Sequence, residues 1–275
     1  MNPWLETVSV ILIILSGVYL GTVFSRFRGY YWLSGYFLSL LLIALLVMVR
    51  CSHSVAFTPT LAWVAAGRAK FVVLAIAAAL GVITPMSRLP RKSEKLLTCL
   101  LLVVVVVWFS VMPFLSPALV KGQLANLKTT VDSDGICFQS TDYTCGPAAA
   151  VTALRILGLP ADEGEIAILS RTSPVAGTLP WSLCTALNSR YSSYGLRCQY
   201  RYFDSIAQLK DAEVTLVVLK DTFLSDHCVA VLEVSEQLVT VADPVSGIKL
   251  IPYKQFEKMW RFTGIVLGRE GSQSI

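Results

Sequence analysis

The sequence predicts two structures in series: an all-α bundle of membrane-spanning helices, then an α+β domain whose helices come before an antiparallel sheet. Three observations predict it. The 275 residues are 55% hydrophobic and only 15% charged, whereas a soluble globular chain carries about 25% charged residues. Four long apolar runs fall within the first 116 residues. From about Ala118 the composition turns ordinary, and the pattern passes from helical segments to short Val-, Leu- and aromatic-rich stretches bounded by turn residues.

The apolar runs cover residues 7–25, 31–49, 70–87 and 96–116. A span requires about 20 mostly apolar residues, and LLTCLLLVVVVVWFSVMPFL meets that requirement most plainly. None of the four keeps the polar face of a core helix in a soluble protein. SVAFTPTLAWVAAG (54–67) is a candidate re-entrant or interfacial piece. The first run does not match a cleavable signal peptide, because no basic residues precede it and Arg26 and Arg28 follow it. Residues 117–135 read as a connector with some helical character, 136–270 as one domain of ordinary size, and 271–275 as a tail.

Through Pro117 the chain has nine Lys/Arg against two acids; beyond it, fourteen against sixteen. The formal net charge of +5 is therefore a membrane-flank signal. A nucleic-acid surface would need Lys/Arg clustered on the folded domain. In a four-span arrangement the loops after the first and third runs share one side and hold Arg26, Arg28, Arg88, Arg91, Lys92 and Lys95. The other side holds Arg50, Arg68 and Lys70. The positive-inside rule assigns the richer side to the cytoplasm. Both termini then lie outside it, in an integral protein of a bacterial inner (cytoplasmic) membrane whose α+β domain is periplasmic or extracytoplasmic.

Within that domain, GPAAAVTALRILG has Pro in its first turn and Gly just past its end, a helix signature at both ends. DEGEIAILSRT opens with acids that suit a helix N-terminus, and LPWSLCTALNSRYS again has an early Pro. LRCQYRYF, EVTLVVLK, HCVAVLEVS, QLVTVAD and FTGIVLG then read as strands. Helices followed by strands give an α+β arrangement.

Four residues stand out chemically. Cys145, just before Gly146-Pro147, is placed at a helix N-terminus, where unpaired N–H groups and the positive dipole end stabilise a thiolate. The chain has two histidines, His53 and His227. Only His227 is in the domain, where it enters an apolar strand, and an imidazole is the usual base for a cysteine nucleophile. Asp243 ends the next strand. If the two strands pair as a hairpin, Asp243 comes near His227 and is suited to orient it; Asp-Pro-x-x-Gly is equally a turn signal. Gln139, six residues before Cys145, offers a side-chain amide to an oxyanion beside a helix-start N–H. These residues alone leave three functions open: a cysteine endopeptidase, a peptide-binding module that does not cut, and an amide hydrolase or acyl-transfer enzyme. Nucleophile, base and oxyanion hole serve all acyl transfers.

The order Gln, Cys, His, Asp, with helices before sheet, is similar to that of papain-like peptidases. QSTDYTCGPAAAVTAL, DHCVAVLEV, ADPVSG and YKQFEKMWRFTGIVL resemble the bacteriocin-processing cysteine peptidases, which cut after double-glycine leaders. The resemblance covers roughly residues 134–270 and excludes the apolar half. It implies a papain-like fold, Cys145 as nucleophile, His227 as base, Asp243 as its orienting partner and Gln139 in the oxyanion hole. Its members often form the first domain of an ATP-driven peptide exporter. Here the spans come first, and no G-x-x-x-x-G-K-[ST] phosphate loop is present. The expected form is a membrane-anchored, stand-alone peptidase without an ATPase domain. Its expected partners are a peptide or protein substrate (for instance a leader or bacteriocin-like precursor), the lipid bilayer and a separate export or membrane complex. Nucleotide, nucleic acid and cofactor are not expected.

Seven cysteines occur. With Cys145 set aside, Cys137, Cys184, Cys198 and Cys228 remain in the domain and allow three pairings in an oxidising compartment. Cys228 follows His227 and is expected on the opposite strand face, in the core. No spacing suggests zinc. Cys51 and Cys99 read as apolar filler in the spans.

Overall fold

A computed structural model describes residues 3–52, 67–222 and 225–269, and in it each long apolar run is helical. His53, most of the 54–67 segment and the 271–275 tail lie outside the described residues. The chain divides into two units, Met1–Leu119 and Val120–Ile275.

The first unit contains α1 (Pro3–Ser25), α2 (Leu33–Cys51), α3 (Ala69–Met86), α4 (Lys92–Val106) and α5 (Met112–Leu119). A π-helical turn, Val107–Val111, joins the last two into one 28-residue helix. Among the described residues, four helices are thus long and apolar enough to cross a membrane. The fourth begins earlier than its apolar run, because hydropathy marks where a helix meets lipid while Lys92, Ser93 and Glu94 are still free to be helical. Pro113 accounts for the π turn. Its ring would clash with the carbonyl four residues back in a regular α-helix; the helix widens instead, and the Met112 N–H donates to the Val107 carbonyl.

Helix α3 is central. Its Ala75, Ala77, Ala79 and Leu80 are fully buried, and small side chains there let neighbouring backbones come close. A Cβ on Gly21 of α1 would lie 2.9 Å from Ile83 Cβ. Ser39 Oγ on α2 donates to the Ala77 carbonyl at 2.7 Å, which satisfies a buried hydroxyl. At one end of the bundle, Arg88 stacks its guanidinium on Trp32 and donates to the Ser25 carbonyl. At the other, Arg68 pairs with Glu6 at 3.2 Å. The loops after α1 and after α3 therefore meet at the same end. The outward faces stay apolar, with Leu12, Leu15, Leu41 and Val104 each more than half exposed.

The second unit begins with α6 (Lys121–Ala125), β1 (Thr130–Val131) and β2 (Cys137–Phe138), the two strands pairing antiparallel. Helices α7 (Cys145–Ile156), α8 (Glu163–Leu169) and α9 (Pro180–Tyr191) follow. Next come β3 (Leu196–Tyr202), α10 (Ala207–Lys210), β4 (Thr215–Lys220), β5 (Asp226–Val234), β6 (Leu238–Asp243), β7 (Gly247–Pro252), α11 (Tyr253–Met259) and β8 (Trp260–Arg269). The sheet is antiparallel, in the order β3-β8-β4-β5-β6-β7. Period-two alternation gives it two apolar faces. Leu216, Ala230, Ala242 and Ile265 pack under α7 and α9. Val217, Val229, Val241, Phe256 and Trp260 form a second core on the other face, closed by α10 and α11.

Besides the very short β1, β2 and α10, two longer elements are absent from the sequence reading. Strand β7 carries Ile248 and Leu250 exposed on a short edge, with no clean alternation to mark it. Helix α11 spans only seven residues, less than two turns of pattern. Last in sequence, β8 inserts between β3 and β4, a long-range pairing that no local pattern announces.

Candidate active site

Cys145 is the first residue of α7. Its neighbour Thr144 stands at the N-cap but does not cap: the Thr144 hydroxyl takes the Thr141 N–H at 3.1 Å, closing the preceding turn. Pro147 has no N–H to offer. The N–H groups of Cys145 and Gly146, which have no intrahelical acceptor, thus remain at the helix mouth. Glycine is required at 146 by close packing, since a Cβ there would lie 2.9 Å from Thr178 Cβ. The Cys145 thiol is partly exposed.

His227 stands second in β5, and β5 pairs with β6 through Ala230↔Ala242 and Val231↔Val241. That register brings the start of β5 to the end of β6. His227 Nε2 and Asp243 Oδ1 are 2.8 Å apart. With Nε2 donating to the carboxylate, Nδ1 is the nitrogen left for the thiol. The imidazole is near enough to Cys145 to interact by hydrogen bonding and by charge. Asp226, one residue earlier, is held by Arg261 Nε at 2.9 Å, which ties the start of β5 to β8.

Asp243 is almost fully buried and well supplied with donors. Oδ1 also accepts the Val245 N–H at 2.8 Å, a side-chain-closed turn, and Oδ2 accepts from Lys249 Nζ at 2.6 Å. Burial favours the neutral acid, but His227, Lys249 and the Val245 N–H outweigh it and hold the carboxyl well below the usual range. For His227, burial pulls the pKa down; the bond to Asp243 and the adjacent Cys145 more than offset this and raise it to about 9. The pair thus favours an imidazolium beside the thiol at neutral pH.

Gln139 reaches the same place through its backbone: its N–H donates to the carbonyl of Pro244, the residue after Asp243, at 2.9 Å. Its Oε1 is buried and has no hydrogen-bond partner among the described residues. The next residue, Ser140, gives both its N–H (2.9 Å) and its hydroxyl (2.6 Å) to the carboxylate of Glu163. The structure therefore gathers all four residues singled out in the sequence at one corner, between the N-terminus of α7 and the β5–β6 end of the sheet. It adds two that sequence reasoning missed. Glu163 reads in the sequence only as helix-start charge; it is fully buried and anchors the Gln139–Ser140 segment, while the neighbouring Asp162 caps α8 by accepting the Glu165 N–H. Lys249 reaches Asp243 only because β7 folds back along β6, and no sequence signal marks it. Cys228 packs against the α7 side of the sheet; burial raises its thiol pKa, and the nearby Cys145 raises it further.

The model of the family described as Peptidase C39 matches residues 134–273. The chain belongs to the Peptidase C39 family. This C39 domain has the family's papain-like α+β fold, and the protein is a cysteine peptidase. It is 32% identical over 145 residues to an uncharacterized protein of Methanothermobacter marburgensis, covering 53% of this chain and 94% of that one. It is also 32% identical over 133 residues to a protein of Pseudomonas aeruginosa described as a probable functional amyloid protease, FapD, covering 46% of this chain and 57% of FapD. Among solved structures it is similar to a double glycine motif protease from an AMS/PCAT transporter, crystallised with its leader peptide. That match has 16% identity and a TM-score of 0.41, and covers 52% of this chain and 92% of that one.

Proposed function

We propose that this peptidase is anchored in a bacterial cytoplasmic membrane by its four apolar helices and cleaves an exported peptide or protein segment at the extracytoplasmic surface. The observation that carries the catalytic part is the continuous contact from Asp243 through His227 to Cys145 at an uncapped helix N-terminus. The apolar outer surface of the helical unit supports the anchor, since lipid is the solvent that such a surface suits.

In this mechanism Cys145 attacks the scissile carbonyl as a thiolate while imidazolium His227 holds the proton. The oxyanion forms near the Cys145 N–H and the Gln139 side-chain amide. His227 then gives its proton to the leaving amine, and the substrate's N-terminal part remains as a thioester on Cys145. A water, deprotonated by His227, hydrolyses the thioester and restores the thiolate–imidazolium pair. Asp243 keeps the ring oriented and favours its charged form. Leader-bearing precursors and functional-amyloid proteins are the substrate classes proposed, the first from the resemblance to double-glycine peptidases and the second from the description of FapD.

The test compares the N-termini of membrane and exported peptides from cells carrying wild type and Cys145→Ala. Termini present only with the wild type establish the substrate and the bond cut. Identical termini, with the variant expressed and folded, would remove the proposal.

A further inference from the structure

Helix α9 and strand β3 carry one cysteine each, Cys184 and Cys198, both nearly buried in the core under the sheet. Their Sγ atoms are 3.0 Å apart. A disulfide has an S–S length of about 2.05 Å, so about one ångström of sulfur movement separates contact from bond. The backbones that carry the thiols are locked together independently. One turn after Cys184, Asn188 accepts the Cys198 N–H through Oδ1 at 2.8 Å and donates Nδ2 to the Cys198 carbonyl at 2.7 Å. Among the described residues, strand β3 is the sheet's edge and pairs only with β8, and its outer side is met by Asn188 of α9.

We propose that Cys184 and Cys198 form an intramolecular disulfide that clamps α9 to the edge strand β3. The oxidant is a protein dithiol–disulfide carrier. In the first step the Cys184 thiolate attacks the carrier's disulfide, forms a mixed disulfide and releases one carrier thiolate. The Cys198 thiolate then displaces the second. Two thiols lose two protons and two electrons, and the carrier is reduced to its dithiol. Cys184 is the natural first nucleophile: the Cys198 hydrogen bond lowers its pKa against the opposing effect of burial, while the same contact and burial raise that of Cys198. Because buried thiols are slow to exchange, the reaction belongs to folding or local opening.

The other cysteines fit this pairing poorly. Cys137 is wholly buried with its Sγ toward the Phe138 carbonyl, and Cys228 lies by Cys145. A metal is a poor alternative, since the described residues hold no cluster of three or more His, Cys, Asp or Glu. Disulfides persist in oxidising compartments, which agrees with the extracytoplasmic placement proposed above; the chemistry of the pair does not depend on that placement.

The experiment uses the full chain purified in detergent and equilibrated through partial unfolding in a glutathione redox buffer. It is then alkylated under denaturing conditions and digested without reductant. Trypsin cuts after Arg190 and Arg197, so the two cysteines fall on separate peptides. The expected product is a Cys184–Cys198 cross-linked peptide two hydrogens lighter than its parts. The unfolding midpoint should rise by roughly 5–10 °C, as suits closure of a short loop, and Cys198→Ala should abolish the rise. Free Cys184 and Cys198 after equilibration, or a cross-link from either to Cys137, Cys145 or Cys228, would overturn the proposal. The readout is independent of peptidase activity.

Discussion

In the proposed mechanism Cys145, His227, Asp243 and Gln139 have different roles, so their losses should be unequal. Cys145→Ala is expected to lower turnover by about 10⁴-fold or more while the protein still folds, because an alanine fits the partly exposed start of α7; retained turnover would sink the mechanism. Gln139→Ala should cost about 3–4 kcal/mol of transition-state stabilisation, seen as lower kcat with little change in substrate binding. The pH profile tests Asp243. With His227 raised to about 9, activity should fall on the alkaline side near that pH, and Asp243→Asn should move the fall to lower pH. An unmoved alkaline limb would separate Asp243 from the ring's charge state. The same shift has a stability consequence. A raised histidine pKa contributes stability that is present in full below the unfolded value of about 6.5. That contribution is lost as pH rises through about 9, so part of the domain's stability should disappear between those pH values in wild type and less of it in His227→Ala.

At the scale of elements, the site depends on two junctions. The first is the meeting of the Gln139–Ser140 segment with α8 through Glu163. Glu163→Gln keeps the shape and removes charge-assisted hydrogen bonds, and is expected to cost about 1–3 kcal/mol, measured by denaturation. Since Gln139 is carried on the same segment, kcat should fall too. Unchanged kcat with lowered stability would confine Glu163 to the fold. The second junction is the close packing of α7 on the 172–178 loop, where Gly146 faces Thr178 and Thr172 and Thr178 share a hydrogen bond. Gly146→Val should therefore destabilise the domain by overpacking, by about 1–3 kcal/mol.

At the scale of the whole molecule, an apolar helical unit precedes a peptidase unit in one chain. If the helices span, the basic loops after α1 and α3 mark the cytoplasmic side, and a reporter fused after Ile275 should read as extracytoplasmic. A cytoplasmic reading would reverse the placement and leave the catalytic chemistry untouched.

The sequence by itself determined the class of each half. Hydropathy over some 20 residues suffices to mark a long apolar helix, and Gly146-Pro147 with Gly158 suffices to bracket α7, because these are properties of neighbours in the chain. It also placed a cysteine at a helix start and left only one histidine in the same domain. The tertiary structure decided what touches what. Whether His227 meets Asp243 follows from the β5–β6 register, and a one-residue slip would turn the ring to the other face. Lys249 comes to the carboxylate because β7 folds back, Glu163 to Ser140 because α8 packs beside the loop, and Cys198 to Cys184 because β3 lies along α9. Such pairings rest on long-range packing and loop closure, whose free energies depend on the whole fold and leave little trace in any short stretch of residues.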